Sequence, residues 1–329
     1  MEMAIEQKLM ERAGMIMQER GHASVDLARR SMLGEEVEEA SLREALRYFI
    51  EGWNDFLHPA LISLACEAVG GKPETTVELG AALVLLAGGA DIHDDVIDES
   101  VIKGSEQTVF GKFGKDLAIL TGDALLLEGV YLLHEACEKL GVRKRKMILN
   151  IVKQAFLEIS GAEAAEASMR GRTNIPKQQY VEIIRHKVAA GEIAMRMGAL
   201  VGDGTPEEVD ALAEFGRVYG VLMSLRDEFI DVFEQEELSH RLEKEVLPLP
   251  IILAFTDESR KSALMQLLRG KITEDKIEQI VDLATNNVES KFLVSEMKKM
   301  VDQLILRIQN LRYCRENLEL LASATLEDL

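Results

Sequence analysis

Apolar residues recur with a helical period along most of the chain. Leu83, Leu86 and Ala90 share one face, as do Ile151, Phe156 and Ile159, and Leu212, Phe215, Val218 and Leu222. Thr75, with Glu78 three residues on and Pro73 just before, predicts a capped helix start. Thr205, Pro206 and Glu208 repeat the device, with proline at the first helical position. Breaks at 70–71, 111–114, 171–176, 202–206 and 234–250 separate roughly ten helices. No linker rich in serine or proline and no short-period repeat interrupts them. The pattern predicts one all-α domain over residues 1–329, a single large bundle of about ten or more helices.

Composition narrows the function. The 57 acidic and 38 basic side chains give a net charge of −19 over 329 residues. That argues against a nucleic-acid groove or a polybasic membrane patch, which need clustered positive charge. Cys66, Cys137 and Cys314 stand far apart, so neither a disulfide framework nor a structural zinc site is indicated. Residues 1–20 mix charges with apolar residues and hold no apolar signal core. The longest apolar run, 79–90, is short of the roughly 20 residues a bilayer needs. The expectation is a cytoplasmic protein without a transmembrane segment.

Two acidic clusters carry the candidate chemistry. Asp91, Asp94, Asp95, Asp98 and Glu99 fall within nine residues, and Asp227, Glu228 and Asp231 follow Arg226. Asp94 and Asp98, like Asp227 and Asp231, stand four apart, so on a helix they share a face and repel. Asp94 lies 19 residues beyond Thr75 and Asp227 lies 22 beyond Thr205. At 1.5 Å per residue those are about 28 and 33 Å, near the negative end of each helix dipole. Carboxylates stacked there predict a missing cation. Mg²⁺ fits best, being hard, bound by oxygen, and content with one or two carboxylates plus water and substrate phosphate. A solvated acidic face is the plain alternative, but Val96, Ile97, Phe229 and Ile230 embed both pairs in apolar residues.

With these residues the chain resembles the trans-isoprenyl diphosphate synthases, the polyprenyl synthetase family. Asp94, Asp95 and Asp98 match the first D-D-x-x-D motif. Asp227, Glu228 and Asp231 resemble the second, with Glu228 in place of its second aspartate. Gly122, Asp123, Leu125 and Leu126 match a G-D-x-L-L segment, and Lys187 with Ala189 looks like the K-T-A segment. The resemblance implies a helical bundle around a deep central cavity, with the motifs facing each other across three Mg²⁺ ions. It implies metal ligation by Asp94, Asp98, Asp227 and Asp231, support from Asp95 and Glu228, and diphosphate binding by Lys103, Lys187 and Arg226. A homodimer is implied by the family alone.

The chain also departs from the family. The G-G-K-R-x-R-P loop that holds isopentenyl diphosphate reads Trp53, Asn54, Asp55, Phe56, Leu57, His58, Pro59. A family histidine is Ala87, and an arginine pair is Lys103 and Gly104. A second diphosphate would meet Asp55 where a cation is expected, and Trp53 and Phe56 would fill that volume. An allylic-diphosphate lysine is Val246, with Lys244 nearby, and a glutamine is Ser224. Small residues at Ala87, Gly88, Gly89 and Ala90 imply a cavity floor open to long chains, unless the glycines serve helix packing. The first expectation is therefore a class I terpene synthase that ionises a long allylic diphosphate, such as geranylgeranyl diphosphate, without isopentenyl diphosphate. Two alternatives stay open: a chain-elongating prenyltransferase, and a non-catalytic subunit of a heteromeric synthase.

Overall fold

The computed structural model describes residues 2–327 and 329; Met1 and Asp328 lie outside the described residues. Sixteen α-helices are present among them. In order they are α1 (Glu2–Gly34), α2 (Ala40–Gly52), α3 (Leu57–Ala68), α4 (Val77–Ile97), α5 (Val109–Phe113), α6 (Lys115–Glu138), α7 (Val142–Ala167) and α8 (Lys177–Lys187). There follow α9 (Ala189–Val201), α10 (Pro206–Ile230), α11 (Gln235–Lys244), α12 (Leu249–Ala254), α13 (Glu258–Leu267), α14 (Glu274–Thr285), α15 (Val288–Arg307) and α16 (Arg315–Ala324). A two-residue antiparallel ribbon pairs Ile102 with Gln107 and Lys103 with Glu106. The all-α expectation holds. The 234–250 break does not hold as one stretch, because its middle forms α11.

The central helix is α4. Its residues from Ala81 to Leu86 are all buried, the pattern of a helix that is apolar all round and packed on every side. Its most extensive partner is α6. Gly89 and Gly122 permit that approach: a Cβ on Gly89 would lie 2.8 Å from the Gly122 carbonyl oxygen. By length and composition, the segment carrying α4 and the helix α6 could each cross a membrane; two thirds of the α4 window is buried, against one third for α6. Leu120, Leu127, Val130 and Tyr131 form an exposed apolar strip on α6.

The two predicted starts fare differently. Thr205 accepts from the Glu208 N–H while Glu208 returns a bond to the Thr205 N–H, so the capping box of α10 is real. Thr75 does not cap α4. A 3₁₀ turn occupies Pro73–Thr76, and the Thr75 and Thr76 hydroxyls donate to the carbonyls of Lys72 and Pro73 instead. The helix ends fall as expected: α4 stops at Ile97 and α10 at Ile230, so each acidic cluster sits at a C-terminus.

Candidate active site

The C-terminal ends of α4 and α10 open on one cavity of about 840 Å³. Leu83, Leu86, Val152, Ile159 and Ile193 form much of its apolar wall; Asp94, Asp227 and Lys187 bring charge to it. The aspartates four residues further on close their helices as C-caps, Asp98 for α4 and Asp231 for α10. After Asp98 the chain passes through Glu99 at φ 57°, the left-handed position that usually takes glycine.

Each capping aspartate meets an arginine. Arg170 Nη2 donates to Asp98 Oδ1 at 2.5 Å and to the Ile97 carbonyl at 3.0 Å. Arg241, fully buried, donates to Asp231, to Glu228 Oε1 at 3.1 Å, to the Tyr180 hydroxyl at 2.8 Å and to the Val246 carbonyl at 2.9 Å. Glu228 also accepts from the Tyr180 hydroxyl at 2.8 Å and the Leu249 N–H at 2.6 Å. Contrary to the expectation from sequence, Glu228 therefore does not support the cavity acids. It is turned into the core, where it fixes α10 against α8, α11 and α12. Burial pushes Asp231 up to about 6, with Arg241 opposing the shift.

The basic residues are paired with acids of the same chain. Lys103 Nζ lies 2.6 Å from Asp91 Oδ1 and 3.4 Å from Asp95 Oδ1. Burial pushes Asp95 up to about 7, with Lys103 pulling against it. Lys187 bridges Glu166 and Glu163, the latter at 3.1 Å. Burial works against the Lys187 charge, but Glu166, Glu163 and Asp94 outweigh it and hold the ammonium firmly protonated. Arg226 Nη1 is 3.6 Å from Asp227 Oδ1. Lys244 reaches across to Glu99 at 2.6 Å, and Val246 is buried.

Asp94 stands apart from this pairing. Its Oδ1 is buried with no hydrogen-bond partner among the described residues. Burial raises its pKa, Lys187 lowers it, and Asp98 raises it again. A buried carboxylate oxygen without a donor is costly and marks an absent partner. Among the described residues no three carboxylate, imidazole or thiol groups converge to hold a metal by themselves. An oxygen-only set of Asp94 and Asp227, completed by water and diphosphate, still fits a hard divalent cation.

Two further sequence expectations need correction, the places of Gly88 with Gly89 and of Phe56. Of the small residues, Ala87 and Ala90 line the cavity, but Gly88 and Gly89 do not. A Cβ on Gly88 would meet Phe49 at 2.8 Å and one on Gly89 would meet Leu126 at 2.7 Å, so both glycines serve packing. Trp53 lines the cavity, anchored by its indole N–H on the Val84 carbonyl at 3.1 Å; Phe56 instead packs with the smaller core cluster beside α1. Asp95, Asp98, Asp231, Lys103 and Arg226 sit behind or beside the lining residues. His93 bridges to α6, 3.3 Å from the Ile119 carbonyl and 3.4 Å from Asp123. Sequence reasoning missed Glu163, Glu166, Arg170 and Arg241. Glu163 and Glu166 carried a signal, the i,i+3 spacing on α7; the two arginines pair only through the fold.

The family profile described as "Polyprenyl synthetase" matches residues 39–284. A short chain isoprenyl diphosphate synthase of Methanothermobacter thermautotrophicus is 31% identical over 199 residues, 60% of each chain. A geranylgeranyl diphosphate synthase of Methanosarcina mazei is 29% identical over 198 residues, again 60% of each. The alignments thus span about three fifths of those relatives. Geranylgeranyl pyrophosphate synthetase from Pyrococcus horikoshii superposes with TM-score 0.84 at 22% identity, covering 98% of this chain and 99% of that one. Decaprenyl diphosphate synthase from Rhodobacter capsulatus gives 0.81 at 21% identity, covering 97% and 98%. The relatives carry the names of diphosphate synthases, which overturns the expectation of a terpene synthase or cyclase working without isopentenyl diphosphate. That expectation rested on the altered loop at 53–59 together with Ala87 and Gly104. This chain belongs to the polyprenyl synthetase family.

Proposed function

We propose that the chain is a chain-elongating prenyltransferase that joins an allylic prenyl diphosphate to isopentenyl diphosphate. The observation that carries this reading is a cavity that is apolar along its wall and holds Asp94, Asp227 and Lys187 together. Its relatives' names point the same way.

Asp94 and Asp227 would hold Mg²⁺, with Asp98 and Asp231 as further ligands once their arginines let go. Bound Mg²⁺ would supply Lewis acidity toward the diphosphate oxygens. Lys187 offers its ammonium to the same diphosphate, and Lys103 neutralises Asp91 and Asp95 behind it. Charge that develops on the leaving diphosphate is stabilised by groups already fixed in place, so little reorganisation is needed during reaction. Leu83, Leu86, Val152 and Ile159 exclude water from the allylic cation. Ala87 and Ala90 leave room for a growing chain.

The exposed strip of Leu120, Leu127, Val130 and Tyr131 supports a homodimer through α6. The function is tested by incubating the protein with Mg²⁺ and a series of allylic diphosphates, with and without isopentenyl diphosphate. A diphosphate longer by five-carbon units, formed only with both substrates, is the expected product. Hydrocarbon or alcohol from the allylic diphosphate alone contradicts the reading.

A further inference from the structure

We propose that Arg217 is a positioning residue for Lys187: its guanidinium fixes the junction of α8 and α9 from which the Lys187 ammonium reaches the substrate diphosphate. The proposal rests on the reading of Lys187 given under the proposed function. Arg217 is buried on α10. It donates from Nε to Glu192 Oε2 at 2.7 Å, from Nη1 to Glu158 Oε1 at 2.8 Å and from Nη2 to Glu158 Oε2 at 3.2 Å. Nη1 also donates to the Arg185 carbonyl at 2.6 Å. One side chain thus joins α7, α8, α9 and α10. The two bonds to Glu158 run side by side, a fork geometry that lysine does not reproduce.

The bonds converge on the backbone around Lys187. Lys187 is the last residue of α8, and α9 begins at Ala189. The chain turns between them at Val188, with φ −87° and ψ 18°. The last four carbonyls of a helix have no partner within it, and Arg217 takes the one on Arg185, two residues before Lys187. His186, the next residue, sets Nδ1 2.7 Å from Glu158 Oε1. On the far side, Glu192 stands in the first turn of α9. The junction is therefore clamped both before and after Lys187. Glycines let the clamp close. Gly191 precedes Glu192, Gly216 precedes Arg217, and a Cβ on Gly216 would lie 2.2 Å from the Gly191 carbonyl oxygen. Burial works against the Glu158 charge, but Arg217 and His186 outweigh it and hold the carboxyl below its usual range.

The clamp works from outside the cavity. Lys187 lines the cavity, whereas Arg217, Glu158, Glu192 and His186 do not. From the fixed junction, Lys187 Nζ crosses to α7, where it lies 3.1 Å from Glu163 and also bonds Glu166. The helix α7 therefore carries both the clamped Glu158 and the acids that hold the ammonium. Glu158 and Glu166 are eight residues apart, about 12 Å along the helix. A lysine ammonium rides on a flexible four-carbon stem, so it is placed only as well as the backbone that carries it. A displacement of about 1 Å at a reacting group is enough to cost a large factor in rate, even when its cause lies far from the chemistry. Arg217 touches no substrate, and its effect runs through Lys187.

The test is a double-mutant cycle read on the binding of inorganic diphosphate with Mg²⁺ by titration calorimetry. It compares wild type, Arg217→Lys, Lys187→Gln and the double variant. Arg217→Gln would strand two carboxylates, so Arg217→Lys is used, which keeps the positive charge and loses the fork. Arg217→Lys should weaken diphosphate binding about fivefold or more where Lys187 is present, and leave it unchanged in the Lys187→Gln background. In turnover it should raise KM for the allylic diphosphate and leave KM for isopentenyl diphosphate unchanged. Equal weakening with and without Lys187, or a fall in kcat alone, is the signature of a structural brace and overturns the proposal. Unweakened binding in Arg217→Lys overturns it as well. A Lys187→Gln protein that binds diphosphate like wild type overturns the role of Lys187, and the proposal with it. Wild-type protein that binds diphosphate but condenses nothing overturns the elongation reading alone, because the cycle is read on binding.

Discussion

Arg170 grips Asp98, the last acid of the first cluster, with Nη2 2.5 Å from Oδ1. The guanidinium occupies an oxygen that the metal reading assigns to Mg²⁺. Arg170→Gln should leave Asp98 beside Asp94 without its own counter-charge. The pair is partly exposed, so the loss in metal-free protein should be about 1 kcal/mol or less. Thermal melts with and without Mg²⁺ and inorganic diphosphate should show a larger rise for the variant than for wild type. Equal rises would separate Arg170 from metal binding.

Arg241 does a different task from Arg170. It is buried with Glu228 and Tyr180 and also holds the half-buried Asp231. Arg241→Met would strand the buried carboxylate of Glu228, and removing one partner of such a pair costs roughly 3–5 kcal/mol. Denaturant unfolding should show that loss, with Arg241→Lys recovering part of it. A Met variant as stable as wild type would contradict the structural role given to Glu228.

Much of this site was legible in the sequence because it depends on spacing along a helix. Asp94 with Asp98, and Asp227 with Asp231, announce themselves by four-residue repeats at the ends of long apolar helices. Thr205 and Glu208 form a cap with only local partners, and the structure keeps it. Arg241 was illegible because its partners Glu228 and Tyr180 are 13 and 61 residues away in sequence. Thr75 looked like a cap because spacing alone does not register the competing bond to Lys72. Gly88 and Gly89 looked like cavity floor because a run of small residues does not say which way it faces.

That last point yields a contrast. Gly89→Ala should press a methyl onto Leu126 and the Gly122 carbonyl, destabilising the protein by about 1–3 kcal/mol. Product length should not change. Ala90→Phe projects into the cavity and should shorten the product while leaving the melting temperature close to wild type. Chromatography of dephosphorylated products, beside thermal melts, checks both. A shortened product from Gly89→Ala would return that glycine to the cavity wall.

Burial pushes Glu245 up to about 8, against Arg241 and aided by Asp98. Its folded pKa lies above the unfolded value, so the folded state holds the proton more tightly. The stabilisation is full below the unfolded value of about 4.3 and is lost as pH rises through the folded one. Melting temperature should therefore fall between about pH 5 and pH 9, and fall less steeply in Glu245→Gln. Parallel curves for the two proteins would show that Glu245 titrates normally.

The most direct measurement is the fate of labelled isopentenyl diphosphate. Purified protein, Mg²⁺, geranylgeranyl diphosphate and ¹³C-labelled isopentenyl diphosphate are incubated, and the prenyl diphosphates are analysed by mass spectrometry. The account predicts a product longer by five carbons per added unit, with the label retained in each. Unlabelled hydrocarbon or alcohol, or complete recovery of both substrates, would contradict it.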